Sequence, residues 1–191
     1  MARYLKAIGI ICALMMAMTS CSGYRWGSLG VLAGSYKTIN VPYVEGDKDG
    51  KLTASIIREL DNSAGGLAYQ QHASELMLRV EIKDTYNENI GFRYKKDESG
   101  DSFNDIIQVE SRMLAKAEVS VEEALTGRTI VGPVVLDAHV DYDYDIDSNR
   151  SNLIDFSLGQ MTTNENAADI ARDPLNHALA VMIVSYINHI W

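Results

Sequence analysis

The segment RMLAKAEVSVEEALTGRTIVGPVVLDAHVDYD, Arg112 to Asp143, spells out two strands and the turn between them. In its first half Met113, Ala115, Ala117, Val119 and Val121 alternate with Arg112, Lys116, Glu118 and Ser120. In its second half Val134, Leu136, Ala138, Val140 and Tyr142 alternate with Asp137, His139, Asp141 and Asp143, and Tyr144 to Asp147 continue the pattern. A period of two is that of a strand with one buried face. Thr126-Gly127 supplies the turn. A two-residue loop there sets Leu125 opposite Arg128. It then pairs Ala117 with Leu136, Ala115 with Ala138 and Met113 with Val140 on one face. Lys116 meets Asp137 and Arg112 meets Asp141 on the other. Apolar faces apolar and opposite charges face each other, so pattern and turn chemistry predict the same register.

Two further strands are predicted upstream. Leu76, Leu78, Val80 and Ile82 alternate with Glu75, Arg79, Glu81 and Lys83, with Met77 as the exception. After the turn residues Asn87-Glu88-Asn89, Phe92 and Tyr94 alternate with Arg93 and Lys95. A turn centred on Glu88 makes these a hairpin in which Lys83 faces Arg93 and Glu81 faces Lys95. An acidic, glycine-containing loop from Lys96 to Asn104 then leads to the third strand. Four strands in series, joined by short turns or one loop, predict an antiparallel meander.

Residues 37–44 alternate as a strand whose Pro42 favours an edge or a bulge. Leu52, Ile56, Ile57 and Leu60 fall at helical spacing. Near the C-terminus Ile170, Ala171, Leu175, Ala178, Leu179, Met182, Ile183, Tyr186 and Ile190 form a helical stripe. There Asp173 is the expected N-cap and Pro174 the first position of the main helix, with a shorter helical stretch over 165–172 leading in. The expected fold class is α/β (α+β): a mainly antiparallel sheet of four to five strands, with two helices packed on one face.

The chain opens differently. Arg3 and Lys6 precede an almost wholly apolar run from Ala7 to Met18, then the small residues Thr19-Ser20 and Cys21. That order is that of a secretory signal, and the run is shorter than the ~20 residues a bilayer span needs. Met18-Thr19-Ser20-Cys21 resembles the lipobox of bacterial lipoproteins, which implies cleavage before Cys21 and its acylation. Cys12, the only other cysteine, leaves with the signal, so no disulfide partner remains. Acyl chains bury about 0.8 kcal/mol per CH₂, and two or more make the attachment stable. Ser22, where an aspartate would retain a lipoprotein at the inner membrane, implies the outer membrane. The expected organisation is a signal peptide over 1–20, an acylated, glycine-rich tether over 21–36 and one domain over 37–191. Tyr24 and Trp26 stand just past Cys21, placed to meet either the membrane interface or the domain. Loss of Arg3 and Lys6 takes the formal charge from −9 to −11. So acidic a domain is not a general nucleic-acid binder.

In order and in residues the chain resembles the LptE family of outer-membrane lipoproteins. The matching pieces are Cys21-x-Gly23-Tyr24, the strand Tyr36-Lys-Thr-Ile-Asn-Val-Pro42, Leu52-Thr-Ala-Ser-Ile-Ile-Arg-Glu-Leu60, residues 73–82, the turn around Leu125-Thr-Gly-Arg128 and the closing helix. The resemblance implies a non-enzymatic protein on the periplasmic face of the outer membrane. Its partners would be an LptD-like barrel, as a plug, and lipopolysaccharide. A different envelope lipoprotein, such as an auxiliary subunit of a transport system, shares anchor and layout, and an anchored hydrolase is a third reading.

Several residue groups invite a chemical role. Asp141, Asp143, Asp145 and Asp147 lack the glycine and glutamate of a calcium loop and read as a charged strand face that resists sheet pairing. His72, His139, His177 and His189 have no metal spacing, and no nucleophile elbow, phosphate loop or dinucleotide fingerprint occurs. The expectation is therefore no catalytic residue, metal or cofactor. Arg79, Lys83, Arg93 and Lys95 fall on one outward face of the first predicted hairpin. Like charges opposed there call for a counter-ion, which the phosphates of a glycolipid headgroup supply. The alternative is a solvated face screened by Glu81 and Asp97.

Overall fold

The computed structural model describes residues 30–63, 66–96, 102–144 and 164–190. In chain order its elements are α1 (Val31–Ser35), β1 (Thr38–Asn40), α2 (Lys51–Asn62), β2 (Ala68–Tyr69), β3 (Leu76–Lys96), β4 (Ser102–Glu123), β5 (Thr129–Asp143) and α3 (Asn164–Asn188). The sheet is open and mixed, in the order β2-β1-β3-β4-β5. β1 runs parallel to β2 and β3, while β3, β4 and β5 are antiparallel. One apolar cluster joins the odd residues Met113 to Val121 of β4 and Leu76, Leu78 and Val80 of β3. Leu52, Ile56 and Leu60 of α2 and Leu175, Leu179, Ile183 and Ile187 of α3 complete it. The fold is α+β, as expected, with helices on one face.

The β4–β5 register agrees with the sequence at all five expected pairs: Ala117 with Leu136, Ala115 with Ala138, Met113 with Val140, Lys116 with Asp137 and Arg112 with Asp141. The turn is not the expected one. Glu123 N–H donates to Arg128 O (2.9 Å), which makes a four-residue loop of 124–127. Two extra residues in β5 restore the pairing. Glu122 pairs with Thr129, Val121 with Val131 and Val119 with Val134, so Ile130 and the Gly132-Pro133 step are bulged. Burial fixes the register and the turn adapts to it.

The first predicted hairpin does not form. β3 continues through Asn87-Glu88-Asn89 and pairs with β4 along its whole length. A bulge at Lys83 shifts the pairing, so Ile82 faces Ala117 and Asp84 faces Lys116, with Glu88 opposite Arg112. Each cation of central β4 therefore lies between two acids, Lys116 between Asp84 and Asp137, and Arg112 between Glu88 and Asp141. Those cross-strand charges and pairing that continues past the bulge favour an extended strand over a turn. Lys83 and Arg93 share one strand instead of facing each other.

Three smaller differences follow from packing. Pro174 lies inside α3 rather than at its start. The missing N–H and the ring clash cost about 3 kcal/mol, which burial of Ala171, Leu175 and Leu179 on the same helix offsets. The last residues of the predicted tether form α1, whose Leu32 and Ala33 are buried in the core. β1 lies between β2 and β3 rather than at an edge, and Pro42 falls just past it. The N-terminus of α2 is capped from its preceding loop. Buried Asp47 accepts hydrogen bonds from Thr53 N–H and Oγ1, both 2.8 Å, and Thr53 Oγ1 accepts one from Val44 N–H.

Candidate functional site

The strands outrun their cover. β4 has 22 residues, roughly 70 Å at the usual strand rise, whereas α3 has 25, about 37 Å at the helical rise. Alternating burial of β4 ends at Ser111, and β3 and β4 project beyond it as a ribbon. A polar group marks the boundary. Gln108 Nε2 donates to Ser111 Oγ (2.8 Å) and also to Asn89 Oδ1, so Gln108 lies on the face that carries the core.

Two offset bulges bring apolar residues to that face. Ile90 is extra in β3 and Val109 extra in β4, after which Phe92 faces Gln108, Arg93 faces Ile107 and Tyr94 faces Ile106. Phe92, Tyr94 and Ile106 therefore share the face of Gln108. They are 59%, 60% and 60% exposed, on a sheet surface that is buried nearer the helices. β5 ends beside them, where Tyr144 N–H donates to Val109 O and the Tyr142 and Tyr144 rings lie 6.1 Å apart.

The four expected phosphate ligands are not brought together. Arg79 Nε lies 2.8 Å from Glu122 Oε2, and Lys83 Nζ lies 2.6 Å from Glu81 Oε2 and 3.5 Å from Glu118 Oε1. Hydrogen bonds to those carboxylates raise both side-chain pKa values. Arg93 stands ten positions beyond Lys83, about 30 Å along a strand, next to the exposed apolar group. Lys95 follows it in β3, and its side chain lies outside the described residues. Cys21, Tyr24, Trp26, Asp97, Asp145 and Asp147 also lie outside them.

The acids and histidines are accounted for individually. Asp141 receives two bonds from Arg112, 2.7 and 2.9 Å, which hold its carboxyl below the ordinary aspartate value. Lys116 Nζ sits 5.6 Å from the Tyr86 ring centroid. His72, His139, His177 and His189 are exposed. Among the described residues no three His, Cys, Asp or Glu side chains are grouped to hold a metal, and no helix is long and apolar enough to cross a membrane. Alternation counted from Leu76 already sets Phe92 and Tyr94 on this face, because the bulges at Lys83 and Ile90 cancel; sequence reasoning misses Ile106, which joins them through the Val109 bulge, and a bulge carries no local signature.

No protein-family model matches this chain, and no curated protein does. Among solved structures it is similar to a minor lipoprotein from Acinetobacter baumannii, with a TM-score of 0.49, 14% identity, 80% of this chain covered and 91% of that one. It is similar to the rare lipoprotein B from Shewanella oneidensis, with a TM-score of 0.39, 11% identity and coverages of 78% and 89%. It is also similar to an uncharacterized lipoprotein B from Nitrosomonas europaea, with a TM-score of 0.42, 8% identity and coverages of 85% and 90%. At identities this low, function has to be argued from the chain's own residues.

Proposed function

We propose that this protein is a non-enzymatic lipoprotein, anchored through Cys21 to the periplasmic face of the outer membrane, where it assists lipopolysaccharide transport beside an LptD-like barrel. The anchor and the partners rest on the residues quoted above. The structural observation that carries the binding role is the overhang of β3 and β4, where Phe92, Tyr94 and Ile106 lie exposed on the face that elsewhere forms the core. Exposed aromatics grouped on one sheet face mark a binding surface. Arg93 and Lys95 alternate with them in sequence, so an amphiphile finds an apolar face and nearby cations at the same strand end. Arg79 and Lys83 pair with Glu122 and Glu81, away from this strand end. Binding of lipopolysaccharide to the purified protein tests this reading. Phe92→Glu with Tyr94→Glu should weaken binding at least tenfold with circular dichroism unchanged, whereas unaltered binding would mean that the overhang is not the binding surface.

A further inference from the structure

From Pro174 to Trp191 the sequence has no Asp, Glu, Lys or Arg, in a chain whose formal charge is −9. The second half of α3 buries Leu179, Ala180, Ile183, Val184 and Ile187 against the sheet and α2. Its opposite side presents Val181, Met182, Ser185 and His189, spaced as one helical face. Val181 and Met182 are 39% and 44% exposed. The His189 ring, closing the patch, donates from Nδ1 to Ser185 O at 2.7 Å.

This end of α3 is also where the chain arrives from its N-terminus. Gly30 N–H donates to Asn188 O (3.1 Å). A Cβ on Gly30 would meet Asn188 O at 2.5 Å and Ile190 O at 2.9 Å, so glycine is needed for the backbones to approach this closely. Nine steps of chain separate Gly30 from Cys21, and fully extended they reach at most about 30 Å.

We infer that the uncharged outer face of α3 around Val181 and Met182 rests on the lipid surface in which Cys21 is anchored, which fixes the orientation of the domain on the membrane. The inference takes the acylation of Cys21 from the proposed function. Its physical basis is the short leash together with charge. An anionic leaflet repels the acid-bearing faces of the domain, and the face beside the leash carries no formal charge.

The test uses the full-length, processed protein reconstituted in vesicles of zwitterionic and anionic phospholipid. Cleavage removes Cys12 and acylation occupies Cys21, so an introduced cysteine is the only free thiol. Val181→Cys and Met182→Cys carry an environment-sensitive fluorophore, with Val135→Cys on the outer face of β5 and Ile170→Cys near the start of α3 as controls. Labels at 181 and 182 should shift to the blue and be quenched by bilayer-embedded quenchers several-fold more than those at 135 and 170. Protein that floats with the vesicles but shows aqueous, unquenched labels at 181 and 182 overturns the inference alone. A blue shift without lipid quenching also overturns it, because protein then covers the face. Failure of the wild type to float overturns the Cys21 anchor, and the inference with it.

Discussion

Gly132→Ala should be among the most damaging single-atom additions in the sheet. Gly132 has φ +85°, and a Cβ built there would lie 2.5 Å from Val119 O and 3.1 Å from Ser120 Cα. The left-handed backbone costs a non-glycine residue about 1–2 kcal/mol. The contacts are with backbone of the neighbouring strand, which cannot rotate away, so overpacking adds on the order of 1–3 kcal/mol. Gly127→Ala is the matched control, because Gly127 has φ +66° with nothing within 4 Å of the added carbon. It bears the conformational cost alone. Urea unfolding, with a slope of about 2 kcal/mol per M, should show the midpoint falling by roughly 1–2 M for Gly132→Ala and by about half that for Gly127→Ala. Equal midpoints for the two variants would mean that the Gly132 bulge does not hold β5 in register against β4.

Asp47→Ala removes the acceptor for both Thr53 donors at the start of α2 and should lower unfolding free energy by about 1–3 kcal/mol, read in the same urea assay. Leu179→Ala, at 1% exposure in the core under α3, should cost about 2–5 kcal/mol. Asp141 should titrate below the ordinary aspartate value by NMR, and Arg112→Ala should return it toward that value. Since the folded value is the depressed one, the stabilising contribution of Asp141 is complete above the unfolded aspartate value and is lost as pH falls through the folded value.

The part of the fold legible in the sequence is the part governed by burial. The β4–β5 pairing follows from alternation, charge and the place of the Thr126-Gly127 turn, and α2 from Leu52, Ile56 and Leu60. A two-residue turn predicts that pairing correctly although the turn itself is longer, because the register answers to the core while a loop can gain residues that bulges absorb. β3 departs from its sequence reading for the converse reason. Asn87-Glu88-Asn89 has the composition of a turn, yet the nearby acids Asp84 and Glu88 match Lys116 and Arg112 across the sheet. The available signal is that match with the residues of β4, not the local composition. The bulge at Lys83 reverses which side chains face the helices as far as Asn89, and the extra Ile90 restores the alternation counted from Leu76, while the opposition of Lys83 and Arg93 fails because no turn forms between them. Pro174 shows the same priority, since buried neighbours hold a helix through a residue that favours starting one.

Detergent extraction and affinity purification of the full-length protein from outer membranes, with Cys21 intact, is the decisive measurement of its role. A lipopolysaccharide-transport adaptor should emerge acylated at Cys21 and in stoichiometric complex with a large β-barrel carrying lipopolysaccharide, and Phe92→Glu with Tyr94→Glu should deplete the glycolipid. Recovery of an unacylated protein, or of an acylated one with no barrel bound, would contradict that role.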